Sequence, residues 1–571
     1  MFSSSDFTNI INRLMMSASL ILTCFPAPGW AVPAVPDTAD IPRPQPTLPP
    51  QPRPAEIKQQ ERPAYRPAAE AESVKVRVEQ FAFSGNQAFS AEQLQALLND
   101  YIGHENGMDS LNRAAKIITD FYRKNGYFLA QAYLPAQDIH DNTVEIAVLE
   151  GTLGGLGLSG AEKLNGDFLG KMAAYHLKTG DAITEKKLVR NVTLLNSLPA
   201  IRASAQLNPG EAIGSSNVDI ELQPLPALEG YIAANTYGNR FTGREVLLAG
   251  LKLNNLAGRG DQLSLGLKNS RDDGQRGFNL GYLMPVHESG TLLSLGYNYV
   301  DYKLGGPFKQ LKASGDSQYF SAGLAQPLMR NAQGGLSLHV GGAHKRVDDD
   351  VSAFLLNNRR NVSNVDLGLF GDWFNNQGDV SYQAGLNLRS GRVDFKDAFA
   401  ESLDATGAKT EGHFFKYSLA ASRVQYFSNG VSLALRADYQ YANKNLDSVE
   451  KIVIGGINRW RGFAELPSQA DTGYMAGAEL RKNIAAGPKL ANLLLEGIST
   501  YGFVDFGRGK LNRDALSDDN HVKSIHYGAG VDMAFSRKWL LGITVSHQAR
   551  KFDGVSQENE TRVWGQLQKD F

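Results

Sequence analysis

The sequence predicts a transmembrane, 16-stranded antiparallel β-barrel preceded by two periplasmic α+β domains. Three observations lead to this fold class. From residue 229 to residue 571, apolar and polar residues alternate in sixteen segments. After the first hairpins, long and short gaps alternate between these segments. Upstream, residues 74–226 contain one β-α-α-β-β order twice in succession.

Residues 1–31 are typical of an export signal. Arg13 supplies the positive charge, residues 14–25 are the short apolar core, and Gly29-Trp30-Ala31 offers small residues for cleavage after Ala31. Two alternatives stay open. A buried N-terminal helix is disfavoured by two prolines close behind the apolar core, and a lipid anchor on Cys24 is disfavoured by the threonine before it.

Residues 32–73 are predicted to form a proline-rich linker. The stretch IPRPQPTLPPQPRP is typical of its composition. Such a segment favours extended polyproline conformations and lacks the apolar residues that a core needs. Within it, only residues 55–60 and 68–73 could be helical, and both stretches are short.

Two small α+β modules are predicted over residues 74–150 and 151–226. In the first, a helix is expected to begin after Ser90 as N-cap, and Leu111, Ala115, Ile118 and Tyr122 lie on one face of a second helix. In the second, Thr184 is the expected cap of the second helix. The sheet edges of such modules can accept an added strand from an extended polypeptide.

One stretch of the second module matches a dinucleotide-binding fingerprint. Gly155, Gly157 and Gly160 fit G-x-G-x-x-G, and Asp181 follows at about the expected distance. However, these glycines are predicted within the opening strand of the module, and not between a strand and a crossover helix. We therefore expect no nucleotide site there.

The barrel is predicted over residues 229–571. Its strands are expected at 229–237, 245–253, 261–268, 277–284, 291–302, 316–326, 334–345, 363–374, 379–390, 412–427, 430–443, 473–484, 491–506, 523–535, 538–549 and 560–571. The odd-numbered gaps reach 29 residues, whereas no even-numbered gap exceeds 7. This pattern is typical of outer-membrane barrels, with short periplasmic turns and long outer loops. A soluble β-sandwich would have no reason to place every long loop at one end.

The end of the chain is typical of a barrel-insertion signal. Val563, Leu567 and Phe571 share one face of the last strand with Lys569, which is unusual in a lipid-facing row and could snorkel to the interface. An even number of strands places both barrel ends, and therefore both modules, in the periplasm.

Composition excludes several other functions. The net charge is −1, so binding to nucleic acid through a basic field is not expected, and the one cysteine excludes a disulfide framework. After the N-terminus, no apolar stretch reaches the length of a membrane-spanning helix. HExxH and GxSxG are absent from the sequence, so an enzyme, a cofactor and a metal centre are not expected. Asp348-Asp349-Asp350, at the start of a predicted outer loop, is interpreted as a solvated turn and not as a cation site.

The largest gap, residues 444–472, contains GGINRWRGFAELPS. Trp460, Phe463 and two arginines between glycines suit a loop that folds back into the barrel. Arg461 would then need an anion in a partly desolvated place. In the strand 491–506, Asp505 alternates with apolar neighbours and can face inward, so a charge-assisted Arg461–Asp505 pair is a hypothesis. The alternative is that these are unrelated surface charges.

At these residues the chain resembles the TpsB transporters of two-partner secretion, the haemolysin secretion/activation branch of the Omp85 superfamily. Arg461-Gly462-Phe463 resembles the loop-six motif of that superfamily, and FVDFG, with Phe503, Asp505 and Gly507, resembles its barrel-wall motif. The two modules resemble POTRA domains. Residues 254–265 and 471–481 also resemble stretches of the family, and the likeness covers about residues 74–571.

The resemblance implies a function and its partners. The substrate would be a large secreted β-helical exoprotein, recognised unfolded in the periplasm and secreted through the pore without nucleotide. Arg461 and Asp505 would form a salt bridge that holds loop six inside the pore. Outer-membrane lipid and the barrel-assembly machinery are the other expected partners, and Phe571 would be the insertion signal.

Two alternatives remain at this stage, an Omp85-type insertase and a passive porin. Two modules favour secretion over insertion, because insertases of the superfamily usually carry three or more, and a porin has no need of them. The cargo stays open among adhesin, cytolysin, haem-acquisition protein and contact-dependent toxin. Some family members carry a plug helix before the linker, whereas this sequence offers only the two short stretches named above.

Overall fold

The computed structural model describes residues 57–59, 75–455, 460–461, 468–485, 489–490, 493–516, 520–548 and 561–571. The predicted export signal and most of the predicted linker lie outside these residues. In the part of the chain that is described, no helix is both long enough and apolar enough to cross a bilayer.

The linker contributes one described strand, β1 (Ile57–Gln59). It runs parallel to the strand Ile201–Pro209 of the second module, with Ile57 opposite Ala205 and Gln59 opposite Leu207. These residues lie within the stretch 55–60 that the sequence allowed as a short helix, so that reading is wrong for residues 57–59. β1 is held by a sheet edge, and Ile57 packs against the core of the second module.

The first module carries the predicted β-α-α-β-β order with two short additions. In chain order its elements are β2 (Val76–Arg77), β3 (Gln80–Ser84), α1 (Ala91–Ala96), β4 (Glu105–Asn106), α2 (Met108–Lys124), β5 (Gln131–Tyr133) and β6 (Thr143–Leu149). Ser90 caps α1 in a capping box with Gln93, as predicted. Helix α2 buries the predicted face, including Ile118 and Tyr122.

The second module repeats the order with longer strands. Its elements are β7 (Thr152–Ser159), α3 (Gly166–Ala173), α4 (Glu185–Asn196), β8 (Ile201–Pro209) and β9 (Ser215–Pro224). Thr184 caps α4, as predicted. The sheet order is β1-β8-β9-β7. Gly155 and Gly157 of the fingerprint lie inside β7 and pair with β9, where a strand and not a phosphate-binding turn is formed.

The sixteen-stranded antiparallel barrel is confirmed. Its strands are β10 (Leu228–Asn235), β11 (Val246–Asn254), β12 (Gln262–Ser270), β13 (Gln275–Pro285), β14 (Leu292–Lys303), β15 (Ala313–Asn331), β16 (Gly334–Val351), β17 (Leu356–Phe374), β18 (Val380–Phe395), β19 (Gly412–Tyr426), β20 (Val431–Ala442), β23 (Thr472–Ala485), β25 (Leu493–Lys510), β26 (His521–Phe535), β27 (Trp539–Gln548) and β28 (Thr561–Asp570). Helix α5 (Ala398–Thr406) lies between β18 and β19, and β24 (Lys489–Leu490) pairs with the start of β25.

Several outer loops are shorter than predicted because the strands extend beyond the predicted ends. β15 and β17 each contain 19 residues, which at about 3.3 Å per residue exceed the apolar band of about 25 Å even when tilted. The prediction of a loop over residues 346–362 is therefore wrong. Asp348, Asp349 and Asp350 lie in β16, and the chain turns over residues 352–355.

The barrel closes between β10 and β28. Phe571 follows β28, and its backbone exchanges hydrogen bonds with Gly230 at 2.9 and 3.2 Å. The Phe571 ring lies where a side chain on Gly230 would be, so glycine at this position makes room for it. The ring is half exposed on the outer face, alongside exposed Val563 and Leu567.

The second module rests on the turns of the barrel. The amide of Asn165 donates to Gly258 O at 2.7 Å, and Asn255 Nδ2 donates to Ala200 O at 3.0 Å. The guanidinium of Arg259 covers the ring of Phe168 at 4.7 Å. These contacts involve the turn between β11 and β12, so the stretch 254–265 singled out by sequence joins the periplasmic module to the membrane domain.

Candidate functional site

Loop six connects β20 to β23 and carries the predicted motif. After β20 it forms a short 3-10 turn at Ser448–Glu450 and the strand β21 (Ile452–Ile454), which pairs with β22 (Ser468–Ala470). Between β21 and β22, Trp460 and Arg461 are described, and both are buried. Their contacts lie on β20, β23, β25 and β27, so this part of the loop, which we call the tip, lies against the inner barrel wall.

Arg461 and Asp505 are in direct contact. Arg461 Nε lies 3.1 Å from Asp505 Oδ2, and Nη2 lies 3.2 Å from Oδ1. Asp505 is 1% exposed and Arg461 7%. A bidentate pair of this kind is both charge-assisted and directional. Two charges this deeply buried are stable together, whereas either alone would carry a large desolvation penalty.

Two further groups complete the surroundings of Arg461. Its third nitrogen, Nη1, donates to Glu479 Oε2, and its guanidinium lies 3.8 Å from the centre of the Phe503 ring. Phe503 and Glu479 are paired across β25 and β23. The sequence pointed to Phe503 but not to Glu479. The feature that could have revealed Glu479 is the alternation in the stretch 471–481, which places it on the same face of β23 as Met475 and Gly477.

Glycines create the space that this arrangement needs. Gly477 is paired with Asp505, and a Cβ at Gly477 would overlap Asp505 Oδ1 and lie 3.0 Å from the Trp460 ring. Gly507 of the predicted wall motif has a similar role, since a Cβ there would overlap Met475 Sδ and lie 2.7 Å from Ile454 of the loop. Larger residues at either position would push the loop away from the wall.

Neighbouring polar contacts fix the tip on either side of Arg461. Trp460 Nε1 donates to Asp438 Oδ2 at 3.1 Å on β20. On the far side, Ser546 Oγ of β27 donates to the carbonyl oxygen of Arg461 at 2.8 Å. The tip is therefore held to four strands by side chains that also satisfy each other's hydrogen bonds.

Two of the predicted motif residues, Gly462 and Phe463, lie outside the described residues. Of the other predicted site residues, the structure brings Arg461, Phe503, Asp505 and Gly507 together, and Phe571 lies apart at the barrel seam. Among the described residues, no group of three or more His, Cys, Asp or Glu is arranged to hold a metal ion. The chemistry of the site is that of a buried ionic contact between loop six and the barrel wall.

Comparison with known families agrees with this architecture. The family model described as haemolysin secretion/activation protein ShlB/FhaC/HecB matches residues 214–533, which is more than half of the chain. The model described as POTRA domain, ShlB-type, matches residues 76–151, the first module.

Individual relatives and solved structures are similar over most of the chain. A heme/hemopexin transporter protein, HuxB, of Haemophilus influenzae is 27% identical over 491 residues, 85% of either chain. An outer membrane transporter, CdiB, of Dickeya dadantii is 21% identical over 78% of this chain and 77% of its own. The solved structure of CdiB from Escherichia coli superposes with a TM-score of 0.73 at 20% identity, over 89% of this chain and 92% of that one, and so shares its fold.

Proposed function

The chain belongs to the haemolysin secretion/activation protein family (ShlB/FhaC/HecB), and we propose from this premise how its own residues carry out transport. It is an outer-membrane transporter of two-partner secretion, with its POTRA domains in the periplasm. The family is of the transporter type. An insertase is not favoured, because the relatives found are secretion transporters.

The central proposal is that Arg461 and Asp505 are the latch that holds the tip of loop six inside the pore. The observation that carries it is the burial of both charges together with Glu479 on the barrel wall. While the pair is closed, the tip occupies part of the lumen. During secretion the tip leaves the wall and the polypeptide passes through the pore. Folding of the polypeptide outside the cell favours its outward movement, so no nucleotide is needed.

The POTRA domains are proposed to capture the substrate by strand addition. Main-chain hydrogen bonds to a sheet edge give affinity with little demand on sequence, which suits an unfolded substrate. One edge, that of β8, is occupied by β1 of the linker. A substrate that pairs with β8 must therefore displace β1, and the linker competes with it.

The secreted partner is proposed to be a large β-helical exoprotein that serves haem acquisition. Supporting this choice among the open cargo classes, the heme/hemopexin transporter relatives match at higher identity and coverage than the CdiB relatives. Outer-membrane lipid surrounds the barrel, and the barrel-assembly machinery is proposed to recognise Phe571. The proposed division of the chain is signal 1–31, linker 32–73, domains 74–150 and 151–226, and barrel 229–571.

The function is tested by removing the protein from its host. The culture medium should lose one large exoprotein, while the other outer-membrane barrels stay at their normal levels. A general loss of barrels would favour the insertase instead. Growth on haem or on haem bound to hemopexin as the iron source should fail together with secretion, and unimpaired growth on both would exclude the proposed cargo class.

A further inference from the structure

A second group of buried charges surrounds Glu450, in the first part of loop six. We call residues 446–450 the stem. The Glu450 side chain has no exposed surface, and its carboxylate lies 3.1 Å from Lys345 Nζ, 2.9 Å from Arg389 Nη1 and 2.8 Å from Lys416 Nζ. These three cations belong to β16, β18 and β19. A carboxylate with three cationic partners is held far more firmly than one in a single pair.

A second stem carboxylate repeats this arrangement. Asp447 Oδ2 accepts a hydrogen bond from Arg360 Nε of β17. Arg360 Nη1 also donates to Asp349 Oδ2 at 2.7 Å, and Asp349 in turn accepts from the Tyr302 hydroxyl at 2.8 Å. Asp349, which the sequence placed in a solvated turn, is therefore part of the wall that receives the stem.

Backbone and apolar contacts accompany the ion pairs. Lys345 Nζ donates to the carbonyl oxygen of Val449 at 2.7 Å, and Lys416 Nζ donates to that of Glu450 at 2.6 Å. One apolar cluster joins the stem to the inner wall, and its fully or largely buried members are Val347, Val362, Val393, Phe414, Ala442, Leu446 and Val449. The stem thus fits the wall in shape as well as in charge.

The stem supplies half of the carboxylates in this network. Among the described residues, the wall contributes four cations, Lys345, Arg360, Arg389 and Lys416, and two carboxylates, Asp349 and Asp366, the latter paired with Arg389. Asp447 and Glu450 of the stem are the other two carboxylates. Removing the stem would take these two carboxylates away from buried cations, which is costly in a partly desolvated place.

The ion pairs of the stem and of the tip lie on different strands. Those of the stem are on β16–β19, whereas those of Arg461 are on β23 and β25. The stem also reaches β20, where Gln440 Nε2 donates to the carbonyl oxygen of Glu450 at 3.2 Å. From this separation we propose that Glu450 is a positioning residue for loop six, which docks the stem on the cationic wall independently of the Arg461–Asp505 pair. When the tip is released, the stem stays in place. A polypeptide in transit then meets cations that are still paired with the carboxylates of the stem.

Thiol labelling from outside the cell tests this proposal directly. Val347 is fully buried in the cluster under the stem, so Val347→Cys reports whether the stem is docked. Leu355, 93% exposed at an outer turn, supplies the matched control Leu355→Cys, which should react in every background. With a membrane-impermeant maleimide, Val347→Cys should react about tenfold or more slowly than the control in the otherwise unchanged protein.

The backgrounds separate the two contacts. Arg461→Ala should leave Val347→Cys protected, whereas Glu450→Gln should raise its labelling to near that of the control. Equal labelling in both backgrounds would show that stem and tip move as one unit and would overturn the proposal. Continued protection in Glu450→Gln would show that this carboxylate does not hold the stem, which would also overturn it.

A conservative change provides a rescue and a check on folding. Glu450→Asp keeps the charge and should restore most of the protection that Glu450→Gln loses. If Glu450→Gln does not insert, Asp447→Asn, which weakens only the Arg360 contact, should give intermediate labelling, and full protection there would contradict the proposal. The measurement needs no secreted substrate, so it stands whether or not the Arg461–Asp505 pair proves to be a latch.

Discussion

Gly477 lies directly opposite Asp505 on the neighbouring strand, and the Asp505 carboxylate occupies the space that a side chain at Gly477 would fill. The Trp460 ring of loop six borders the same space. The contact between loop and wall therefore depends on a residue that takes part in none of its hydrogen bonds.

We predict that Gly477→Ala impairs secretion nearly as much as loss of Asp505. The added methyl group overlaps the carboxylate and displaces it from Arg461. The measurement compares the amount of exoprotein in the medium between the variants, at equal levels of the barrel in the outer membrane. Gly502→Ala on β25 is the matched control, because its methyl group would meet only the Gly528 carbonyl at 3.8 Å and should be tolerated. Normal secretion by Gly477→Ala would show that the carboxylate can move without consequence.

For the ion pair itself, we predict that Arg461→Ala and Asp505→Ala each impair secretion. Arg461→Ala leaves the buried Asp505 without this partner, and Asp505→Ala leaves Arg461 with Glu479 alone. Breaking a buried pair of this kind costs about 3–5 kcal/mol. Arg461→Lys should recover little, because a lysine cannot reproduce the two parallel contacts to Asp505. Exchanging the charges, Arg461→Asp with Asp505→Arg, should restore part of the secretion. If both alanine variants secrete normally, the pair is not the latch.

The fold could be predicted from sequence because two periods, of 2 and of 3.6 residues, were each kept over long stretches. The same reasoning failed at β15–β17, where Asp348, Asp349, Arg359 and Arg360 were taken as loop residues. Charged side chains are not penalised above the bilayer or inside a polar lumen, so alternating hydrophobicity disappears there although the strand continues.

The site was predicted only where its residues share a recognisable motif. Arg461 and Asp505 were found in this way, but Glu479, Glu450 and Gly477 were not. Their roles depend on which strands are adjacent and on which residues face each other across them. That register is a tertiary property, and a one-residue slip would turn each of these side chains to the opposite face of the barrel wall.

Replacing β1 should strengthen substrate capture. With residues 57–59 changed to Gly-Ser-Gly, the linker loses Ile57 from the core contact and much of its preference for a strand, so the edge of β8 becomes available. A competing contact worth about 1 kcal/mol corresponds to about a fivefold gain in affinity for an extended exoprotein segment. Binding to the purified full-length transporter measures this, with Lys58→Arg as control. Unchanged affinity would mean that the substrate uses another edge.

The stability of the first POTRA domain should fall above about pH 10. Burial, and the hydrogen bond to Glu150 at 2.9 Å, raise the pKa of Tyr122 above its ordinary value. The unfolded chain releases this proton near pH 10 while the folded domain keeps it, so the unfolded state gains stability as pH rises. Protease resistance of the domain in the full-length protein should decline there, and less steeply in Tyr122→Phe. An equal decline in both would assign the effect to other groups.

The turn between β11 and β12 should control the coupling of the second POTRA domain to the barrel. Gly258 has a positive φ of 69°. Its carbonyl oxygen accepts a hydrogen bond from the Asn165 amide, and a Cβ at Gly258 would lie 3.0 Å from that amide nitrogen. Gly258→Val therefore combines backbone strain with a clash at the interface. We expect a barrel that inserts normally and still binds exoprotein segments, but secretes several-fold less, because capture is no longer aligned with the pore.

Gly378→Val is the matched control, since this turn glycine also has a positive φ, 70°, but has nothing within 4 Å of a Cβ. Equal secretion by the two variants would show that strain alone, and not the domain contact, accounts for any loss.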